Sequence, residues 1–153
     1  IEDTLASLFA KAISATRFVY STSAFESLKS KGVNIISNND LQTKIVDVYD
    51  SRYRFFLEAE DDFVDYFVLG VETIFPGRFV CGLNYNVTQP GLPGDLRPLD
   101  FETLKEDEES LYYLKTMRNW TQLLINFHYS TLQAKVVELK GMIDNELKLK
   151  NYP

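Results

Sequence analysis

Between Leu41 and Gly70 the apolar positions Leu41, Ile45, Val48, Tyr49, Phe55, Phe56, Ala59, Phe63, Tyr66, Phe67 and Gly70 recur mostly at three- and four-residue intervals. That is the period of a helix and not of a strand. Continued to Pro76, the run predicts a helix of about 35 residues and about 50 Å, at about 1.5 Å of rise per residue. A stripe of that length needs a partner of similar length to cover it, and the chain supplies one. Leu111, Leu114, Met117, Trp120, Leu124, Phe127, His128, Leu132, Val136, Leu139, Ile143 and Leu147 keep the same spacing for about ten turns. Asp107 is a good N-cap for this second run, with Glu108 and Glu109 in the first turn, where the helix dipole favours acids. Gly141 weakens the run by about 1 kcal/mol relative to alanine without ending it. The two long helices are expected to pack antiparallel, which sets the fold class: all-α, an up-and-down bundle of about four helices, two of them long.

Shorter helical stretches precede the long ones. Residues 2–20 carry Leu5, Leu8, Phe9, Ala12, Ile13, Thr16 and Val19 at helical spacing, with Asp3 or Thr4 as N-cap. Ser23-Ala24-Phe25-Glu26 fits a capping box, so a second helix starts near Ala24, faces Phe25 and Leu28 to one side and stops at Gly32. Ser37-Asn38-Asn39-Asp40 then offers caps for the first long helix, Ser37 and Asp40 having the reciprocal spacing. Periodicity is lost between Pro76 and Pro98, where four of the seven Gly and four of the five Pro fall. Pro90-Gly91-Leu92-Pro93-Gly94 cannot be helical. Arg78 to Cys81 and Leu83 to Thr88 suit short extended pieces, and Asp100 to Lys105 suits one helical turn. With no repeat and no low-complexity tract, residues 1–153 read as a single helical domain. The Gly/Pro-rich connection at 76–98 is the first place to seek a partner-binding surface.

Chemistry is constrained mainly by what the chain lacks. The net charge of −6 argues against a nucleic-acid partner, whose phosphates call for a basic patch. With one histidine, His128, a carboxylate-bridged di-iron bundle is out of reach, because it needs two Glu-x-x-His motifs. Zinc catalysis and nucleophile–histidine arrangements find no supporting motif, and no glycine-rich phosphate loop occurs. The single Cys81 cannot form an internal disulfide and reads as a structural thiol. Glu58, Glu60, Asp61, Asp62 and Asp65 make a dense acidic group whose oxygens suit calcium or magnesium, or else form a solvated helix face. Arg52 lies in line with Val48, Phe55 and Ala59 on an α-helix, so its guanidinium must reach water or pair with a carboxylate. His128 lies on the apolar stripe of the last helix, with Trp120 two turns before it. Arg52, Trp120 and His128 are therefore the candidate lining of a ligand pocket in the bundle. The twenty-one aromatic residues, eleven Phe, nine Tyr and one Trp, read otherwise as core.

Thr22-Ser23-Ala24-Phe25-Glu26-Ser27-Leu28-Lys29-Ser30-Lys31-Gly32, then Ile35-Ile36-Ser37-Asn38-Asn39-Asp40-Leu41 and Ile45-Val46-Asp47-Val48-Tyr49, resemble the central signature of an uncharacterised bacterial family. Leu104-Lys105-Glu106-Asp107 and the helix ending in Glu138-Leu139-Lys140 and Ile143 to Leu147 are similar to it too, while residues 76–98 match no part of it. Members of that family are short single-pass membrane-anchored proteins with a helical extracytoplasmic domain and no catalytic residues to carry over. The resemblance implies that a membrane helix lies upstream of Ile1 and that the domain is periplasmic. No apolar run in the chain itself approaches the roughly 18 residues that cross a bilayer. The expectation is a non-enzymatic extracytoplasmic helical module without cofactor, for protein contact or small-ligand sensing. The alternatives are a metal-dependent or other enzyme using the acidic group at 58–65, and a structural oligomerisation module, of which a homodimer is the simplest form.

Overall fold

The computed structural model describes residues 17–81 and 96–150, with Leu8 before them. The chain is all-α: among the described residues, regular structure other than helix amounts to two three-residue strands. Helix α1 spans Ser23–Lys31 and is followed by a 3-10 turn at Val33–Ile35. The first long helix is α2 (Asn39–Val46), a π-helical turn (Asp47–Arg52) and α3 (Tyr53–Thr73), 35 residues without a break. Strands β1 (Phe79–Cys81) and β2 (Leu96–Pro98) pair antiparallel with Val80 opposite Arg97. Helix α4 (Phe101–Glu106) leads to the second long helix: α5 (Glu108–Leu123), a second π turn (Leu124–Tyr129) and α6 (Ser130–Leu149), 42 residues in all.

Several local expectations hold and several are corrected. Gly32 ends α1 at φ 88°, a conformation that costs glycine nothing, and its amide reaches the Lys29 carbonyl at 3.1 Å. The capping box does not form: the N-cap is Thr22, with no side-chain cap bond, and the Glu26 amide turns back to the Thr22 carbonyl. At α2 the cap is Asn38, whose Oδ1 accepts from the Leu41 amide at 3.1 Å. Ser37 instead accepts from Lys150 Nζ at 2.8 Å, so it serves the far end of the chain and not its own helix. Asp107 caps α5 as expected, and Asp100 caps α4. The helix expected over 2–20 does not extend through residues 17–20, which are irregular, and Val19 is 89% exposed. The rest of that stretch lies outside the described residues except for helical Leu8. β1 is the extended piece expected at Arg78 to Cys81. The piece expected at 83–88 lies outside the described residues, and β1 pairs with Leu96–Pro98.

Two compact units divide the chain: Ile1–Arg17 with Asp62–Thr121, and Phe18–Asp61 with Gln122–Pro153. The core of the first is Phe75, Phe79, Leu96, Leu104, Tyr113 and Met117, with Phe63, Tyr66 and Phe67 packed against it. Tyr113 organises it. Its hydroxyl donates to the Phe67 carbonyl at 3.0 Å, its ring meets Phe75 edge-on, and burial pushes its pKa up to about 12. Gly70 is what admits that ring: a Cβ there would stand 1.9 Å from Tyr113 Cζ.

The second unit is built on Phe25, Leu41, Ile45, Val48 and Leu139, flanked by Tyr49, Tyr53, Val136 and Met142. Asn38 Nδ2 donates to Glu146 at 3.0 Å, and Lys44 pairs with Glu138 at 2.6 Å. Phe55 meets His128 at 5.2 Å between ring centroids. Partners that fall in number on one helix as they rise on the other make this pairing antiparallel. Asn38 caps α2 with one amide atom and holds the end of α6 with the other.

Gly70→Ala is expected to destabilise the protein by about 1–3 kcal/mol, because overpacking a filled core exceeds the gain in helix propensity. Urea denaturation checks it, and in a Tyr113→Ala background the same change should become neutral or stabilising.

Candidate functional site

Along an unbroken α-helix, Val48 is followed on its own face by Arg52, Phe55 and Ala59. The Asp47–Arg52 π turn carries one surplus residue, and the Tyr53 amide bonds to Val48, five positions back. Each following side chain therefore advances by one place. Tyr53 and Phe56 turn inward, and Phe55 stands 54% exposed while Phe56 is only 4% exposed. This moves Arg52 off the buried stripe that the α-helical spacing predicts. Its side chain is exposed and Nε pairs with Asp47 Oδ1, on the same turn, at 3.2 Å.

The shift assembles an aromatic cluster inside the second unit. Phe18 sets its ring edge on Phe56 at 5.1 Å, Tyr20 stacks on Tyr53 at 4.9 Å, and Tyr49 stacks on Phe25 at 4.6 Å. Tyr129 approaches Phe56 edge-on at 6.1 Å. Beneath them, Glu60 is 5% exposed and accepts a hydrogen bond from the Phe18 amide at 2.7 Å. Burying a carboxylate is tolerable only with such a donor. Sequence reading counted Glu60 among a solvated acidic group, and no signal in its neighbours separates it from Glu58 or Asp61. Only the surplus residue upstream turns it inward.

The second π turn presents His128. The imidazole lies against Phe55 at 5.2 Å and edge-on to Phe127 at 5.1 Å, and its Nδ1 is buried with no hydrogen-bond partner among the described residues. Phe55 and Phe127, the rings that meet it, are each more than half exposed; Ile125 is equally exposed but, two residues from Phe127, does not share its face. The result is an outward apolar face with one polar ring at its edge. Of the candidate pocket residues, Arg52 and His128 belong to this unit, and the neighbour His128 has on the first long helix is Phe55. Trp120 is half-buried on α5 and belongs to the first unit.

The acidic group behaves as separate side chains. Glu58, Asp61, Asp62 and Asp65 are exposed, Glu58 pairs with Arg54 at 2.9 Å, and no three acidic, histidine or cysteine groups among the described residues converge to hold a metal ion.

A second polar centre, not foreseen from the sequence, lies in the first unit. Arg78 follows the left-handed Gly77 (φ 79°), donates to the Ile74 carbonyl at 2.8 Å and grips both Asp107 and Glu109. Asp107 also caps α5 by accepting from the Ser110 amide at 3.1 Å. The cavity beside Arg78, Asp100 and Thr103 is about 70 Å³, well below the size of organic-ligand pockets. This centre is a structural clasp joining the start of β1 to a helix cap.

No family model, curated protein or solved structure matches the chain. No helix among the described residues is long and apolar enough to cross a membrane.

The guanidinium of Arg78 lowers Asp107 from 3.8 to about 2, so the clasp stabilises the folded state above pH 3.8 and loses that effect as pH falls through about 2. Asp107→Asn should unfold at lower temperature than the parent at neutral pH. The gap between the two melting curves should close on acidification to about 2, the folded value.

Proposed function

We propose that this chain is a non-enzymatic helical module that works by protein contact, through the outward aromatic face of the second unit. The observation that carries this reading is the exposure of Phe55 and Phe127, the two rings that meet the half-buried His128. Exposed apolar groups gathered on one face mark interaction sites more often than isolated ones do. Aromatic rings held by their backbone lose little freedom when a partner covers them, which suits them to the centre of an interface. The second π turn carries both Phe127 and His128, and such turns recur at functional positions in helices.

The setting of the module follows the resemblance of Thr22–Gly32 and Ile35–Tyr49 to a bacterial membrane-anchored family. On that reading the chain is the periplasmic portion of a single-pass protein, displayed to partners in the cell envelope.

The test is native mass spectrometry of the protein purified from its own cells, comparing the parent with the Phe55→Ser/Phe127→Ser double variant. The parent should retain a protein chain that the variant binds at least about tenfold more weakly, as loss of an interface anchor implies. The variant should still unfold cooperatively, with a loss of about 1–2 kcal/mol for its two half-exposed rings. Retention of a small molecule alone, or a partner held equally by both forms, would overturn the proposal.

A further inference from the structure

The register of the first long helix is balanced by its own side chains. Counted through the π turn, the residues facing the second unit's core after Val48 are Tyr53, Phe56 and Glu60; counted through a plain α-helix they are Arg52, Phe55 and Ala59. Each register buries one phenylalanine and turns one charged residue toward the core. The observed one leaves Phe55 54% exposed and keeps Glu60 at 5%, beneath the Phe18 amide. The other would bury Phe55, return Glu60 to water and face Arg52 inward, where its long stem still lets the guanidinium reach solvent. Ala59 is small enough to sit near the core in both.

We infer that residues 47–60 form a two-register switch, in which the π turn moves from Asp47–Arg52 to the turn around Glu58–Asp61. A π turn holds one surplus residue. Exchanging a bond to the residue five back, such as Tyr53 to Val48, for one to the residue four back passes that surplus to the next turn. Few hydrogen bonds are open at any moment, so the helix never unwinds. Residues 52–60 rotate by about 100°, the angle per residue of an α-helix. Phe55 then replaces Phe56 in the core, and Tyr53 leaves Tyr20. Glu60 releases the Phe18 amide, so the 17–20 segment loses its ring contacts with Tyr53 and Phe56 and its anchoring hydrogen bond, keeping only Phe18 against Tyr129 on the other long helix. The switch turns a local change of helix register into the docking or release of the irregular segment entering α1. It rests on burial and bonding alone, independently of any partner at the outward face.

Fluorine NMR of the whole chain, with 4-fluorophenylalanine placed singly at position 55 or 56, tests it. Each site should show a second line or microsecond–millisecond exchange broadening, with a minor population of about 0.1–10%. Arg52→Leu should enlarge the buried Phe55 signal, and Glu60→Leu should shrink it, each at least about twofold. Amide exchange of the unaltered protein gives a check free of substitutions. Tyr53–Ala59 should open together, with protection about tenfold or more below that of Leu41–Val46. A single sharp line at both sites, the same direction of shift in both variants, or equal protection of the two segments would overturn the inference.

Discussion

Each of the two long helices carries one residue more than an α-helix can place, and the second unit depends on where that residue sits. A helix of 3.6 residues per turn drifts against any apolar pattern that does not share its period. In the first long helix the buried series Leu41, Ile45 and Val48 would otherwise run into Arg52. The surplus at Asp47–Arg52 replaces that arginine with Tyr53 and then Phe56, so a stripe that would have been interrupted by charge continues as aromatic rings. In the second long helix the surplus sits at Leu124–Tyr129 and Phe127 stands outside, while Leu132 and Leu139, seven residues apart beyond the turn, share a buried face.

This placement has a polar consequence. Turning Phe56 in also turns Glu60 in, and a buried carboxylate needs a donor. The donor is the Phe18 amide, a backbone group held in place as Phe18 packs on Phe56, Tyr53 and Tyr129. Hydrogen bond and ring packing thus support each other, and neither is read from residues adjacent in sequence. Polar clasps elsewhere follow the same economy: Asn38 and Asp107 each cap a helix and at the same time hold a distant residue.

Much of the all-α class was legible because period and length are properties of the sequence itself. The long runs, Gly32 as a helix stop, and Asp107 as a cap depend on near neighbours and came through. The capping box at Ser23 and the cap at Ser37 did not, since several Ser, Thr and Asn side chains compete there and tertiary partners decide; Lys150 engages Ser37 from the end of the chain. A π turn has no residue signature. Arg52, Phe55 and Glu60 were therefore each assigned the wrong face, and the outward pairing of Phe55 with His128 was out of reach. Arg78 was missed for a similar reason: its partners are fixed by the left-handed Gly77 and by a helix cap 29 residues away.

The amide of Asn38 reaches Glu146 across 108 residues of chain. As the polypeptide leaves the ribosome, α2 therefore forms with its cap only half engaged, and the segments that make up the first unit after Asp61 emerge in full before that contact can close. Closing so long a loop is slow and entropically unfavourable until many contacts form together. The second unit is thus completed only on the arrival of α6, and the apolar faces of Leu41, Ile45 and Val48 wait for Leu139 until then. A chaperone that shields nascent helices has its natural window in that interval.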